Sequence, residues 1–108
     1  MKSKDIKPYN DQGKPHGHWE NYYSNGKLQY KANFVNGNKH GSWEYYYYSN
    51  GQLYSKGNYV AGKQHGSWEY YYDTGKLYSK GNFVNGKQHG SWEEYKDTGE
   101  LKYKTYYI

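Results

Sequence analysis

The 108-residue chain contains no cysteine, which excludes a disulfide framework, a thiolate nucleophile and any zinc–cysteine site. It also contains no arginine, since all 15 basic residues are lysine. Readout of phosphate and guanine favours the bidentate guanidinium fork, so the net charge of +5 does not by itself call for nucleic acid, and no nucleic-acid partner is expected. Aliphatic residues are scarce, and the mean hydropathy of −1.47 taken alone resembles that of a disordered chain. The 22% aromatic content argues the other way, because disordered chains are poor in aromatics. The opening MKSKDIKPYN carries charge without an apolar stretch, and no later run is long enough to span a membrane, so a cytoplasmic protein is expected.

What the chain does have is repetition. Trp19, Trp43, Trp68 and Trp92 stand 24, 25 and 24 residues apart, and three of them end the tetrapeptide His-Gly-Ser-Trp. Each tryptophan is followed by Glu, a run of tyrosines, a turn such as Ser-Asn-Gly or Asp-Thr-Gly, and a Lys/Leu/Tyr segment. A fixed period of this length signals stacked supersecondary units that bury apolar surface only against one another. The expectation is a polar lead over residues 1–10 and one repeat domain over residues 11–108, built of four repeats.

Fourteen glycines and turn signals every ten to fourteen residues exclude helix, while Tyr, Trp, Phe and Val fill the intervals as strands do. The predicted fold is all-β: tandem β-hairpins in an elongated, single-layer antiparallel meander. A hairpin closed on Thr74-Gly75 pairs Tyr72 with Leu77, Glu69 with Lys80 and Trp68 with Gly81, and a following loop over Asn85 to Gln88 sets Lys80 opposite Glu93. Carried along the chain, this register places Trp19, Trp43, Trp68 and Trp92 in one row with Ala32, Gly57, Gly81 and Thr105. Each ring then lies over a neighbour poor in side chain. These tryptophans, with Gly57 and Gly81, are the predicted structural residues.

Alternation sends Glu20, Lys31, Glu44, Lys56, Glu69, Lys80, Glu93 and Lys104 to the opposite face as a charge ladder, so a one-residue slip would expose the tryptophans. The same rule adds Tyr23, Tyr72, Leu28, Leu53, Leu77 and Leu101 to the tryptophan face. It puts Tyr22, Tyr54, Tyr71, Tyr78 and Tyr95 on the ladder face. These five tyrosines are candidate binding residues, joined by Lys39, Lys63 and Lys87 (with Lys14), read as a basic edge along the turns. The four tyrosines Tyr45 to Tyr48 exceed the repeat by one, which predicts a β-bulge in the second repeat. Thr105 and Ala32 depart from glycine, as end units do, and the last strand leaves an edge guarded by Lys102 and Lys104.

The units resemble the MORN-repeat variant of bacteria, through the Asn85-Gly86-Lys87 turn, the His89-Gly90-x-Trp92 element and the Tyr71-Tyr72-x-x-Gly75-x-Leu77 element. The resemblance covers about residues 12 to 108. It implies an elongated antiparallel sheet and a protein partner; the antitoxin components among such families imply a cognate toxin.

No catalytic constellation is read. Glu93 and Glu94 are adjacent, so alternation sends them to opposite faces and they cannot form an acid/base dyad. The recurring His16, His40, His65 and His89 lie two strands apart, roughly 9.5 Å, too far to share a metal, so no metal and no cofactor are expected; His16 and His18 are the one close pair. Three non-enzymatic readings remain open: a protein-binding scaffold, with a toxin as the partner the resemblance implies; a module binding a nucleotide, sugar or choline-like ligand on its Tyr/Trp rows; and a self-associating structural protein, whose homodimer would cover the apolar face.

Overall fold

A computed structural model describes residues 4–108, so the first three residues of the predicted lead lie outside the described residues. The strands are β1 (Gly17–Tyr22), β2 (Leu28–Val35), β3 (Asn38–Lys39), β4 (Gly41–Tyr46), β5 (Leu53–Val60), β6 (Lys63–Tyr71), β7 (Leu77–Val84), β8 (Lys87–Tyr95) and β9 (Leu101–Tyr107). Short β3 and β4 together form one arm, interrupted at His40. All pairings are antiparallel between neighbours in sequence. The molecule measures 46 × 32 × 12 Å, and a thickness of 12 Å is one layer of sheet with its side chains. Among the described residues no helix is long and apolar enough to cross a membrane.

The expected rungs are present: Trp19 faces Ala32, Trp43 faces Gly57, Trp68 faces Gly81 and Trp92 faces Thr105. The charge ladder follows, with Lys56 and Lys80 each between two glutamates. The predicted loop over Asn85 to Gln88 is different. The observed turn is only Asn85-Gly86, both at positive φ (52° and 82°), and Val84 pairs with Lys87. Such turns match the right-handed twist of the flanking strands. Between the rungs Asn82/His89 and Lys80/Glu93, β8 then uses two more residues than β7, with Gly90 at φ 74°. The shorter turn and the bulge cancel, which is why the ladder register was right while the loop was not.

The equivalent turn in the second repeat puts Ala61 at φ 50° where the others have Asn36 and Asn85. A β-carbon in the left-handed region costs about 1 kcal/mol, less for asparagine. Ala61→Asn is therefore expected to raise stability by about 0.5–1 kcal/mol, seen as a higher urea midpoint at unchanged slope; a lower midpoint would contradict the strain.

A second class of bulge recurs at the other end of each hairpin. Tyr45 pairs with Ser55 but Tyr46 with Leu53, and Tyr70 pairs with Ser79 but Tyr71 with Leu77. One residue of the returning strand is thereby unpaired in every repeat: Gln29, Tyr54, Tyr78 and Lys102. The bulge expected in the second repeat is thus not special to it, and the Tyr72/Leu77 pairing is replaced by Tyr71/Leu77. The extra residue of that repeat is absorbed by its turn instead. Gly51 N–H bonds the Tyr47 carbonyl four residues back, where Gly75 bonds Tyr72 three back.

The core is a single aromatic row. Trp68 is 1% exposed, and Phe83 and Trp92 are each 7% exposed. Phe83 stands edge-on to both tryptophans, at 5.9 and 5.1 Å between ring centroids, the preferred packing of aromatic pairs. The indole N–H of Trp68 donates to the Asn58 carbonyl and that of Trp92 to the Asn82 carbonyl, each at 3.0 Å. Repeats are also stitched at their turns, where the Tyr23, Tyr47 and Tyr72 hydroxyls donate to the carbonyls of Tyr46, Tyr71 and Tyr95. The first edge is covered: Ile6 bridges Glu20, Tyr9 bridges Pro15 and packs on Trp19, and the Trp19 indole donates to the Pro8 carbonyl.

Candidate functional site on the aromatic face

The bulges decide which side chains share a face. Tyr54 was expected on the charge-ladder face, but its ring contacts Tyr45, Tyr47 and Tyr70, and Tyr45 and Tyr70 stack on Trp43 and Trp68. Tyr78 likewise packs on Tyr72 and lines a cleft with Tyr70 and Trp92. Both therefore belong to the tryptophan face, because a residue added to one strand lets two successive side chains lean to one side. Leu28, Leu53 and Leu77 move the opposite way, paired with Tyr22, Tyr46 and Tyr71, as does Leu101 beside Tyr95.

Tyr22, Tyr71 and Tyr95 stay on the ladder face, where their hydroxyls donate to Glu20, Glu69 and Glu93 at 2.9, 2.7 and 2.8 Å. Lys56 and Lys80 flank those glutamates at 3.4 and 3.7 Å. These exposed pairs set register more than stability. The five candidate tyrosines are thus split between two faces.

The basic edge is also redrawn. Asn38, not Lys39, follows the turn glycine as Lys63 and Lys87 do. Lys39 is paired with Phe34 and turns onto the aromatic face, its Nζ 4.3 Å from the Trp43 ring centre and 5.0 Å from that of Tyr59. Burial there pulls its pKa below the ordinary lysine range. Lys63 and Lys87 remain exposed. Two of the histidines serve the turns: His16 Nδ1 accepts from Asn36 N–H at 3.1 Å and His40 Nδ1 from Ala61 N–H at 3.5 Å. His18 bonds Glu20 at 2.9 Å. Among the described residues no three His, Cys, Asp or Glu side chains are grouped to hold a metal ion.

A cleft of about 360 Å³ lies on the aromatic face, running from Tyr54 of the second repeat to the last strand. Its walls include Tyr54, Tyr70, Tyr78, Trp92, Tyr103 and Tyr107, with Gln88 and Glu94. Glu94 occupies the position of Tyr45 and Tyr70 in the preceding repeats, and thereby becomes a carboxylate on the aromatic face. Its Oε1 accepts from the Tyr103 hydroxyl at 3.0 Å and its Oε2 lies 3.5 Å from Lys102 Nζ. Its charge raises the pKa of Tyr78, and its hydrogen bond raises that of Tyr103. Burial raises that of Tyr70. Glu93, as expected, points to the other face, bonded to Tyr95 and flanked by Lys80 and Lys104. By alternation alone Glu94 is merely the neighbour of Glu93 on the opposite face. The signal that marks it is the break in the series Asn21, Tyr45, Tyr70, Glu94 two residues after each tryptophan.

The tyrosines also couple stability to pH. Burial first, then the bonds to Glu69 and Glu44, push the Tyr71 and Tyr46 phenols well above the usual range, and burial lifts Tyr23 to about 12. A folded-state pKa above the unfolded one means the fold favours the neutral phenol. That contribution is complete below about pH 10 and disappears as pH rises through the folded values. The melting temperature is expected to fall steadily above about pH 10; a flat profile to pH 12 would contradict it.

A family model described as "MORN repeat variant" matches residues 15–36, 39–61, 64–85 and 88–108. These boundaries follow the structural repeat, each match holding one tryptophan and one bulged return strand. A search of curated proteins gives no match.

Proposed function

We propose that this chain, which belongs to the MORN repeat variant family, is a non-catalytic scaffold in the cytoplasm that binds another protein through its aromatic face. Repeats of this kind suggest a binding scaffold; the carrying observation for the face is the set of tyrosines left open on it. Tyr54, Tyr78 and Tyr103 are 41%, 39% and 51% exposed around one cleft. Tyrosine is a rigid, amphipathic anchor that orders at low entropic cost, and such residues dominate interface energetics. The ladder face, by contrast, spends its hydroxyls and charges on internal pairs. Resemblance to antitoxin components makes a toxin the class of partner to look for.

The test is affinity capture of the tagged chain from its source cells, followed by native mass spectrometry. The reading expects a stoichiometric second protein that survives the paired change Tyr71→Ser and Tyr95→Ser on the ladder face and is lost with Tyr54→Ser and Tyr78→Ser on the aromatic face. Retention in both variants would place the interface elsewhere, and a bare chain from the unaltered protein would remove the reading.

A further inference from the structure

We infer that the cleft beside Trp92 receives an arginine side chain of the partner protein, its guanidinium lying against the exposed rings of Tyr78 and Tyr103 and bonded to Glu94. This rests on the scaffold reading above and names the group recognised.

The fourth repeat lacks a ring that its predecessors have. In the second and third repeats a tyrosine stacks on its own repeat's tryptophan: Tyr45 on Trp43 at 6.0 Å and 25°, Tyr70 on Trp68 at 6.1 Å and 29°. In the fourth repeat Glu94 stands in that place; Trp92 keeps only the tilted ring of Tyr70 from the preceding repeat, at 6.3 Å and 35°, and the cleft opens beside it. At its margin is a carboxylate in place of the phenol.

A second feature shows what the face tolerates. In the second repeat the chain's own Lys39 places its ammonium over Trp43 and Tyr59. The corresponding residue beside Trp92 and Tyr107 is Gln88, which lines the cleft. The third repeat also has a glutamine there, Gln64, so what sets the fourth repeat apart is the loss of the stacked ring and the gain of a negative charge.

A planar cation satisfies these conditions together. Guanidinium stacks on aromatic faces and meets a carboxylate bidentately, whereas an ammonium is a compact point charge that stacks poorly. The chain contains no arginine to fill the slot itself. Its nearest internal cation, Lys102, is 54% exposed and 3.5 Å from Glu94; exposed pairs of this kind contribute roughly 0–1 kcal/mol, so an incoming guanidinium displaces it.

The experiment titrates the full chain with the capped tripeptide Gly-Arg-Gly and with its citrulline and lysine counterparts, following the Trp92 indole N–H resonance by NMR. The arginine peptide is expected to produce a saturable shift at Trp92, with the Trp19 resonance unmoved. Glu94→Gln should weaken it about tenfold, and Glu94→Tyr, which restores the ring of the preceding repeats, should abolish it. Lys102→Met should strengthen binding. A shift reproduced by citrulline, one of equal strength with lysine, one insensitive to Glu94→Gln, or none at all would overturn the inference. If the peptide fails while partner capture still depends on Tyr54 and Tyr78, the arginine assignment falls and the scaffold reading stands.

Discussion

Gly81→Ala is expected to destabilise the protein by about 2–4 kcal/mol, the scale of losing most of a buried aromatic's packing, and to expose Trp92. A β-carbon at Gly81 would lie 2.1 Å from Trp92 Cδ2 and 2.2 Å from Cε2, and one at Gly57 would meet Trp68 at the same distances. The ring cannot stay. Where it goes is shown within the same chain, because Ala32 occupies the equivalent place beneath Trp43. There the ring has shifted to stack on Tyr30 at 5.1 Å and 22° and is only half-buried. The Asn33 carbonyl, equivalent to those that Trp68 and Trp92 reach, accepts from His40 N–H at 2.8 Å. Gly81→Ala should therefore convert Trp92 to the arrangement of Trp43, with a red-shifted emission and an earlier denaturation midpoint. Ala32→Gly should do the reverse, letting Trp43 settle over the sheet and gain an indole bond. A Gly81→Ala protein as stable as its parent, with unchanged emission, would refute the assignment of glycine to ring contact.

The tryptophan-over-glycine row and the Glu/Lys ladder were legible because they depend on counts between turns, and those counts were preserved. What counting cannot see is a bulge. The residues Tyr54 and Tyr78 look like ladder-face positions by alternation, yet one unpaired residue per hairpin carries them to the aromatic face. The two-residue turn at Asn85-Gly86 was missed for a related reason: the slack it creates is taken up at Gly90, so the distant register gives no sign of it. Lys39 was misplaced because Asn38 holds the turn position that lysine holds in the later repeats. Glu94 was visible in principle, as the member of a four-residue series that differs in charge, but its meaning depends on the ring it replaces. The sequence periodicity thus describes the sheet, and departures from periodicity describe the site.

Position in the array should matter as much as burial, and Trp68 and Trp19 test this with one chemical change. Trp68→Ala removes a ring that is 1% exposed, edge-packed on Tyr59 and Phe83, stacked with Tyr70 and bonded to Asn58. The expected loss is about 3–5 kcal/mol, a large share of the roughly 5–15 kcal/mol of a typical domain. In a single-layer array each repeat is held only by its neighbours, so the loss interrupts the aromatic row at its middle. Amide protection should collapse from β5 to β8 together, and cooperative unfolding should broaden or divide. Trp19→Ala removes a ring that is 7% exposed but terminal, held by Tyr9, Phe34 and the Pro8 carbonyl. Its effect should be confined to the lead and to β1 and β2, which then exchange by local opening while later strands keep their protection. Hydrogen exchange followed by mass spectrometry separates the two cases. Equal, global loss of protection in both variants would mean that the sheet behaves as one indivisible core, and that the neighbour-by-neighbour account of its stability is wrong.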